Sequence, residues 1–95
     1  MSCRIDRLTG DDEVVLSISG RITEQDLGIL HSAIEAEASA VAIDLENVEL
    51  VDREVVKYLA QRELDGTVLR NCSAYIREWI TRERAELTKK NEDAG

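Results

Sequence analysis

Three consecutive charged residues, Asp52-Arg53-Glu54, follow an apolar segment and open a stretch with helical periodicity. The guanidinium group of an arginine keeps its charge at physiological pH, and its planar set of N–H donors fits a carboxylate or a phosphate. Lys57 stands one helical turn further along. Because acidic residues flank Arg53, a protein carboxylate fits this surface better than a free phosphate. The sequence therefore predicts a partner-binding surface here, and the alternative is a set of solvent-exposed ion pairs worth about 0–1 kcal/mol.

The residues that nucleophilic or metal-dependent catalysis needs are few in this chain. Its single histidine, His31, lies in the apolar stripe of a predicted helix, and the sequence places no nucleophile beside it. The five glycines are scattered singly, so no phosphate-binding loop is predicted. Cys3 and Cys72 lack the spacing of a zinc site or a disulfide framework. We therefore predict a protein that is not an enzyme and that needs no cofactor or metal.

The formal net charge of −8 is concentrated in the first half of the chain. Residues 1–48 carry ten acidic and three basic residues, a net −7, whereas residues 49–95 carry ten and nine, a net −1. An acidic surface repels phosphate backbones, so no nucleic-acid partner is predicted. The sequence shows neither a long apolar run nor a signal-peptide pattern. We therefore predict no membrane insertion and a cytoplasmic location with reduced thiols.

Periodicity predicts the secondary structure. CRIDRL, VVLSIS, AVAIDL and GTVLRN are predicted strands. Thr23 and Asp26 have the spacing of a capping box at the start of the first helix. Asp52 is the predicted cap of the second helix and Gly66 its stop, while SAYIREWITRERAEL forms the third. The predicted apolar face of the first helix consists of Leu27, Leu30, His31, Ile34 and Ala38.

The order of these elements, β-β-α-β-α-β-α, predicts a single small α/β domain with helices packed on a mixed sheet. Strands that alternate with helices pair in parallel through right-handed crossovers, and the first strand is expected to add antiparallel at an edge. The predicted domain covers residues 1–88. Residues 89–95 are charged, lack apolar periodicity and are predicted to fray.

Three segments, in this order, resemble a STAS domain, the family of bacterial anti-sigma-factor antagonists. VVLSISGRIT is similar to the family's strand that ends in Gly-Arg before the first long helix. VAIDLENVELVD is similar to its apolar strand, short turn and helix-opening Asp, and RNCSAYIREWI to its late strand and following helix. The resemblance extends from about Val14 to Ile80. It implies a STAS-like fold and a regulatory protein-interaction module rather than an enzyme.

The resemblance also implies where the partner binds. In the family, the helix-opening Asp precedes a serine or threonine that a kinase-like anti-sigma factor phosphorylates, and the added charge releases that partner. Asp52 matches the Asp, but Arg53 occupies the acceptor position, so phosphorylation control at this site is not expected. The expected partner is an anti-sigma factor or a kinase-like regulator in a bacterial cytoplasm. The residues that match the family's surrounding surface are Asp44, Asn47 and Arg21.

Two alternatives stay open from the sequence. A STAS-like domain could bind a small molecule, a nucleotide or a lipid, in an apolar cleft beside the sheet. Alternatively, Val15 and Ala42 could lie on a sheet face without helices and form a homodimer interface. These alternatives predict ligand-dependent stabilisation and a concentration-dependent mass, respectively.

Overall fold

The structure is a computed structural model, and it describes residues 3–10, 12–37 and 40–94. Its elements follow the predicted order, with one short 3-10 turn before the first helix. The strands are β1 (Cys3–Thr9), β2 (Val14–Ile22), β3 (Val41–Val51) and β4 (Val68–Arg70). The turn spans Glu24–Asp26, and the helices are α1 (Leu27–Glu35), α2 (Arg53–Leu64) and α3 (Ala74–Ala94). The predicted α/β fold class is therefore confirmed.

The four strands form one mixed sheet in the order β1-β2-β3-β4. β1 pairs antiparallel with β2 at one edge, while β2 with β3 and β3 with β4 pair in parallel, as the element order predicted. Two successive right-handed crossovers in the same direction place α1 and α2 on the same face of the sheet. The sheet therefore has a helix-covered face and an opposite face, called the open face below.

The core lies between the helices and one face of the sheet. Leu16 and Ile18 of β2 and Ile43 and Leu45 of β3 alternate with more exposed residues and are at most 1% exposed. They belong to one apolar cluster with buried residues of all three helices: Leu30, Ile34, Val55, Val56, Leu59, Ala60, Ile76 and Ile80. Burial of each large aliphatic side chain contributes roughly 1.5–3 kcal/mol. This cluster supplies the main stabilisation of the fold.

The helix boundaries follow the predicted signals closely. The Asp26 carboxylate accepts a hydrogen bond from the Thr23 N–H at 2.9 Å, but the first turn that it starts is 3-10 and α1 begins at Leu27. α2 ends just before Gly66, whose φ of 107° only a glycine adopts without strain. Ala38, the last residue of the predicted apolar face, lies outside the described residues. α3 continues past the predicted domain boundary at residue 88 and ends at Ala94.

The strand register places an apolar row across the open face. Its members, one from each strand, are Leu8, Val15, Ala42 and Val68. Ala42 at the centre is fully buried, although it lies on the side away from the helices. An ion pair between Arg70 of β4 and Glu13 beside β2 crosses β3 on this face and helps to cover it. The homodimer predicted through Val15 and Ala42 stays a prediction, and Ala42 itself has no free surface to offer it.

Candidate functional site

Asp52 fixes the start of α2. One carboxylate oxygen accepts a hydrogen bond from the Val55 N–H at 3.0 Å, which is the predicted helix cap. The other accepts from the Glu24 N–H at 2.8 Å and joins α2 to the turn that precedes α1. Both oxygens therefore have partners within the chain, and Asp52 positions the residues that follow it.

Arg53 is the first residue of α2, and its side chain extends towards α3 while staying largely exposed to solvent. Its side chain is 71% exposed, and its Nε lies 3.8 Å from an oxygen of Glu83 on α3, beyond hydrogen-bond distance. One turn on, Lys57 lies 3.6 Å from Glu54, and both side chains are nearly half exposed. Exposed pairs of this kind hold their partners weakly, at about 0–1 kcal/mol. The cations at the start of α2 are thus available to a second carboxylate.

A cleft of about 560 Å³ separates the first turns of α2 from the second half of α3 and is called the α2–α3 cleft below. Ala85 and Leu87 supply its apolar surface, and the charged residues that line it are Arg53, Lys57, Arg82, Glu83 and Glu86. Its three cations and two carboxylates give it a small positive balance in a chain whose net charge is −8. The cleft can therefore accept an anionic group together with a short apolar contact.

The sequence explains why the two helices separate at this end. The residues of α3 that pack on the core are Ile76, Trp79, Ile80 and Leu87. At the helical position between Ile80 and Leu87 stand Glu83 and Arg84, so the apolar stripe is interrupted there. The carboxylate side chain of Glu83, only 14% exposed, lies at the floor of the cleft. Helical spacing places Glu83 on the inward side of α3, although its pairing with Arg53 has no signal in the sequence.

At the other end of α2, a charge network joins this helix to α3. Glu63 near the end of α2 accepts two hydrogen bonds from Arg77, at 2.6 and 2.9 Å, and a third from Arg84 at 2.9 Å. The Glu63 side chain is 17% exposed. The hydrogen bonds from Arg77 come first among the causes that hold the pKa of Glu63 below its usual value. These charges are satisfied within the chain and fasten α2 to α3.

The three remaining predicted site residues lie on the sheet. The register and the burial pattern place Asp44, Asn47 and Arg21 on the open face, whereas Arg53 points towards α3. The Asp44 carboxylate accepts hydrogen bonds from the Glu46 N–H at 2.9 Å and the Asn71 side chain at 3.2 Å. The predicted surface therefore divides into a group at the start of α2 and a group on the open face.

The remaining reactive side chains have ordinary structural surroundings. His31 is exposed on α1, and its Nδ1 lies 3.3 Å from the hydroxyl of Tyr58 on α2. Burial raises the pKa values of the Cys3 and Cys72 thiols, so the reactive thiolate is less populated at neutral pH.

Within residues 3–10, 12–37 and 40–94, no cluster of three or more His, Cys, Asp or Glu side chains could hold a metal ion. In the same ranges, no helix combines the length and the apolar character needed to cross a membrane.

Comparison with models of known protein families and with curated protein sequences gives no match. The guanidinium and ammonium groups of the α2–α3 cleft can bind carboxylates non-covalently.

Proposed function

We propose that this chain is a non-enzymatic protein-interaction module that binds an acidic segment of another protein at the start of α2, with Arg53 as the main contact. The observation that carries the proposal is the state of Arg53. Its side chain is 71% exposed beside a cleft, and within the described residues its one ion pair is the loose contact of 3.8 Å with Glu83. An arginine in this state can form a bidentate pair with a carboxylate at little cost in lost internal contacts.

Glu83 has a defined part in this proposal. Its carboxylate lies 3.8 Å from the Nε of Arg53, so it competes with the incoming carboxylate for the same guanidinium. Lys57 and Arg82 line the same cleft and add attraction for an acidic segment. Leu87 offers a contact to an apolar side chain of that segment.

The STAS resemblance supports the finer form of the proposal. The element order and the parallel pairing of β2, β3 and β4 agree with the expected fold, and Arg53 follows the matching Asp. In this form the partner is an anti-sigma factor or a kinase-like regulator in a bacterial cytoplasm. Because Arg53 has no hydroxyl, binding would be constitutive at this position rather than controlled by phosphorylation.

The test is affinity capture with the wild-type chain and matched charge variants, followed by titration calorimetry on each retained protein. Arg53→Glu should reduce the affinity at least fivefold, which corresponds to about 1 kcal/mol. Arg4→Glu is the control, because Arg4 is 77% exposed and lies on β1, outside the cleft. Glu83→Gln should increase the affinity about twofold to threefold, since the competing charge is removed. Equal affinities for the wild type and Arg53→Glu would contradict the proposal.

The volume of the α2–α3 cleft also lies within the range of small-molecule sites, roughly 300–1,000 Å³. The small-molecule alternative is checked by a thermal-shift panel of nucleotides and fatty acids. A ligand that stabilises the wild type but not Arg53→Glu would replace the protein segment as the occupant of the cleft.

A further inference from the structure

The third strand is longer than the strand that pairs with it on one side. β3 spans eleven residues and β4 spans three, and the pairing between them covers residues 42–44 alone. On its other side β3 pairs with β2 as far as Val51. Among the described residues, no strand lies beside residues 47–51 on the β4 side, and this stretch is called the β3 edge below.

Two side chains determine where β4 stops. Asn71 follows β4 with a φ of 57°, a left-handed conformation that turns the chain away from the sheet and that asparagine tolerates. Its side chain donates a hydrogen bond to Asp44, the last residue of β3 that pairs with β4. The same Asp44 oxygen accepts the Glu46 N–H, so that donor is satisfied within the chain. The β3 edge begins directly after it.

In this segment some side chains anchor the strand to the core, and others are exposed to solvent. Val48 and Val51 pack against the core and hold the strand in place. Asn47, Glu49 and Leu50 are exposed, Leu50 by 49%, and the side chain of Glu46 just before them is exposed as well. An edge that is held extended and lacks a neighbour presents backbone donors and acceptors to another strand.

We infer that the β3 edge is a second interaction surface, which adds an extended segment of a partner protein to the sheet as a fifth strand. The segment carries Lys or Arg side chains that face Glu46 and Glu49. Main-chain hydrogen bonds supply the attachment in this mode of recognition, and the side chains supply the selectivity.

Charge determines which occupant fits. A second copy of this chain, paired edge to edge, would bring its own Glu46 and Glu49 against the same two glutamates, and like charges across a strand pair are destabilising. Acidic side chains on an edge are a common protection against such self-pairing. A basic segment is attracted by both glutamates instead of being repelled. The β3 edge therefore selects a basic segment, whereas the α2–α3 cleft is expected to bind an acidic one.

The probe is a blocked eight-residue peptide of alternating lysine and valine, observed by amide hydrogen exchange and by amide chemical shifts of the full chain. In the free protein, the amides of the β3 edge that point away from β2 should exchange rapidly. The peptide should slow their exchange at least tenfold. If all amides of residues 47–51 are already protected without peptide, or if the peptide protects none of them, the inference is wrong.

Two controls separate strand addition from simple charge attraction. The same peptide with N-methyl groups on two adjacent central residues keeps its charge but loses an N–H on each edge, and it should bind at least tenfold more weakly. Equal binding of the two peptides would overturn the inference. Glu49→Lys should weaken the unmodified peptide at least threefold, whereas Arg4→Glu, on β1 at the opposite edge of the sheet, should leave its affinity unchanged. Because this test varies Glu49 rather than Arg53, its outcome is distinguishable from that of the capture experiment on the α2–α3 cleft.

Discussion

At both ends of α2 a charged residue faces opposite charges on α3, with different results. At the closed end, Glu63 accepts three hydrogen bonds of 2.6–2.9 Å from Arg77 and Arg84 and is 17% exposed. At the open end, Arg53 and Glu83 are 3.8 Å apart, and Arg53 is 71% exposed. The same pair of residue types therefore makes a structural contact at one end and an accessible site at the other.

Geometry and solvent explain the difference. The Arg77–Glu63 pair is bidentate, and its low exposure reduces screening by water. The Arg53–Glu83 pair has one long contact, so water competes for both groups. An ion pair between two helices is therefore informative about function when it is loose, because a second acceptor can displace the first. Four measurements test this comparison, in order of decreasing expected effect.

Glu63→Ala should lower the free energy of unfolding by about 2 kcal/mol, measured by urea denaturation. The substitution removes the acceptor of three charge-assisted hydrogen bonds. Arg77 and Arg84 are partly exposed and can turn to water, so the loss is smaller than for a fully buried pair. Glu78→Ala is the control on α3, because its pair with Arg82 is exposed, and it should cost less than about 0.5 kcal/mol. Equal losses of unfolding free energy in the two variants would show that the Glu63 network is no stronger than an exposed ion pair.

Asp52→Ala should cost about 1.5 kcal/mol of unfolding free energy in the same measurement. It leaves the Val55 and Glu24 N–H groups without their acceptor. Asp52→Asn keeps a side-chain oxygen for one of these donors and should cost about half as much. A loss below about 0.5 kcal/mol for Asp52→Ala would show that the start of α2 is held by packing alone.

The stability contributed by Glu63 should depend on pH. Its pKa is lower in the folded protein than in the unfolded chain, chiefly because Arg77 donates hydrogen bonds to the ionised carboxylate. The contribution is therefore complete above the unfolded-chain value of about 4.3 and is lost as the pH falls through the lower folded value. The difference in unfolding free energy between the wild type and Glu63→Gln should be constant from pH 7 to about pH 5 and should shrink below about pH 4. A difference of the same size at pH 3 and pH 7 would contradict this assignment.

A double-mutant cycle at the open end should give the smallest value. Arg53→Ala and Glu83→Ala should show a coupling energy below about 0.5 kcal/mol, because their contact is long and Arg53 is exposed. The matched cycle with Arg77→Ala and Glu63→Ala should give more than about 1 kcal/mol. A strong coupling between Arg53 and Glu83 would mean that this arginine is committed to the fold and would weaken the proposal for the cleft.

Much of the fold was predictable because its signals are local. Alternating apolar residues identified β2 and the first half of β3, but the short turn expected after that half is wrong, since β3 continues to Val51. The spacing of Thr23 and Asp26 predicted the start of the first helix, where the structure has a 3-10 turn before α1. Asp52 was correctly predicted as a helix cap, since its bond to Val55 spans three residues. Its second bond, to Glu24, joins positions 28 residues apart and has no local signal.

The candidate site was less predictable, since it depends on which elements come together. Asp44, Asn47 and Arg21 were grouped with Arg53 in the sequence analysis, but they lie on the open face while Arg53 points towards α3. Glu83, the only residue that the structure places in an ion pair with Arg53 within the described ranges, was not among the predicted residues. Strand register and helix packing decide these neighbours, and neither is written in a short stretch of sequence.

The sequence by itself determined the type and order of the elements, because periodicity of 2 or 3.6 residues and capping act over a single turn or strand. The tertiary structure decided the partners of the charges. Glu63 pairs with arginines 14 and 21 positions away, and Arg53 pairs with Glu83, 30 positions away. The physical reason is that residues distant in sequence form ion pairs only where the packing of helices and strands brings their side chains within about 4 Å, and the apolar residues determine that packing.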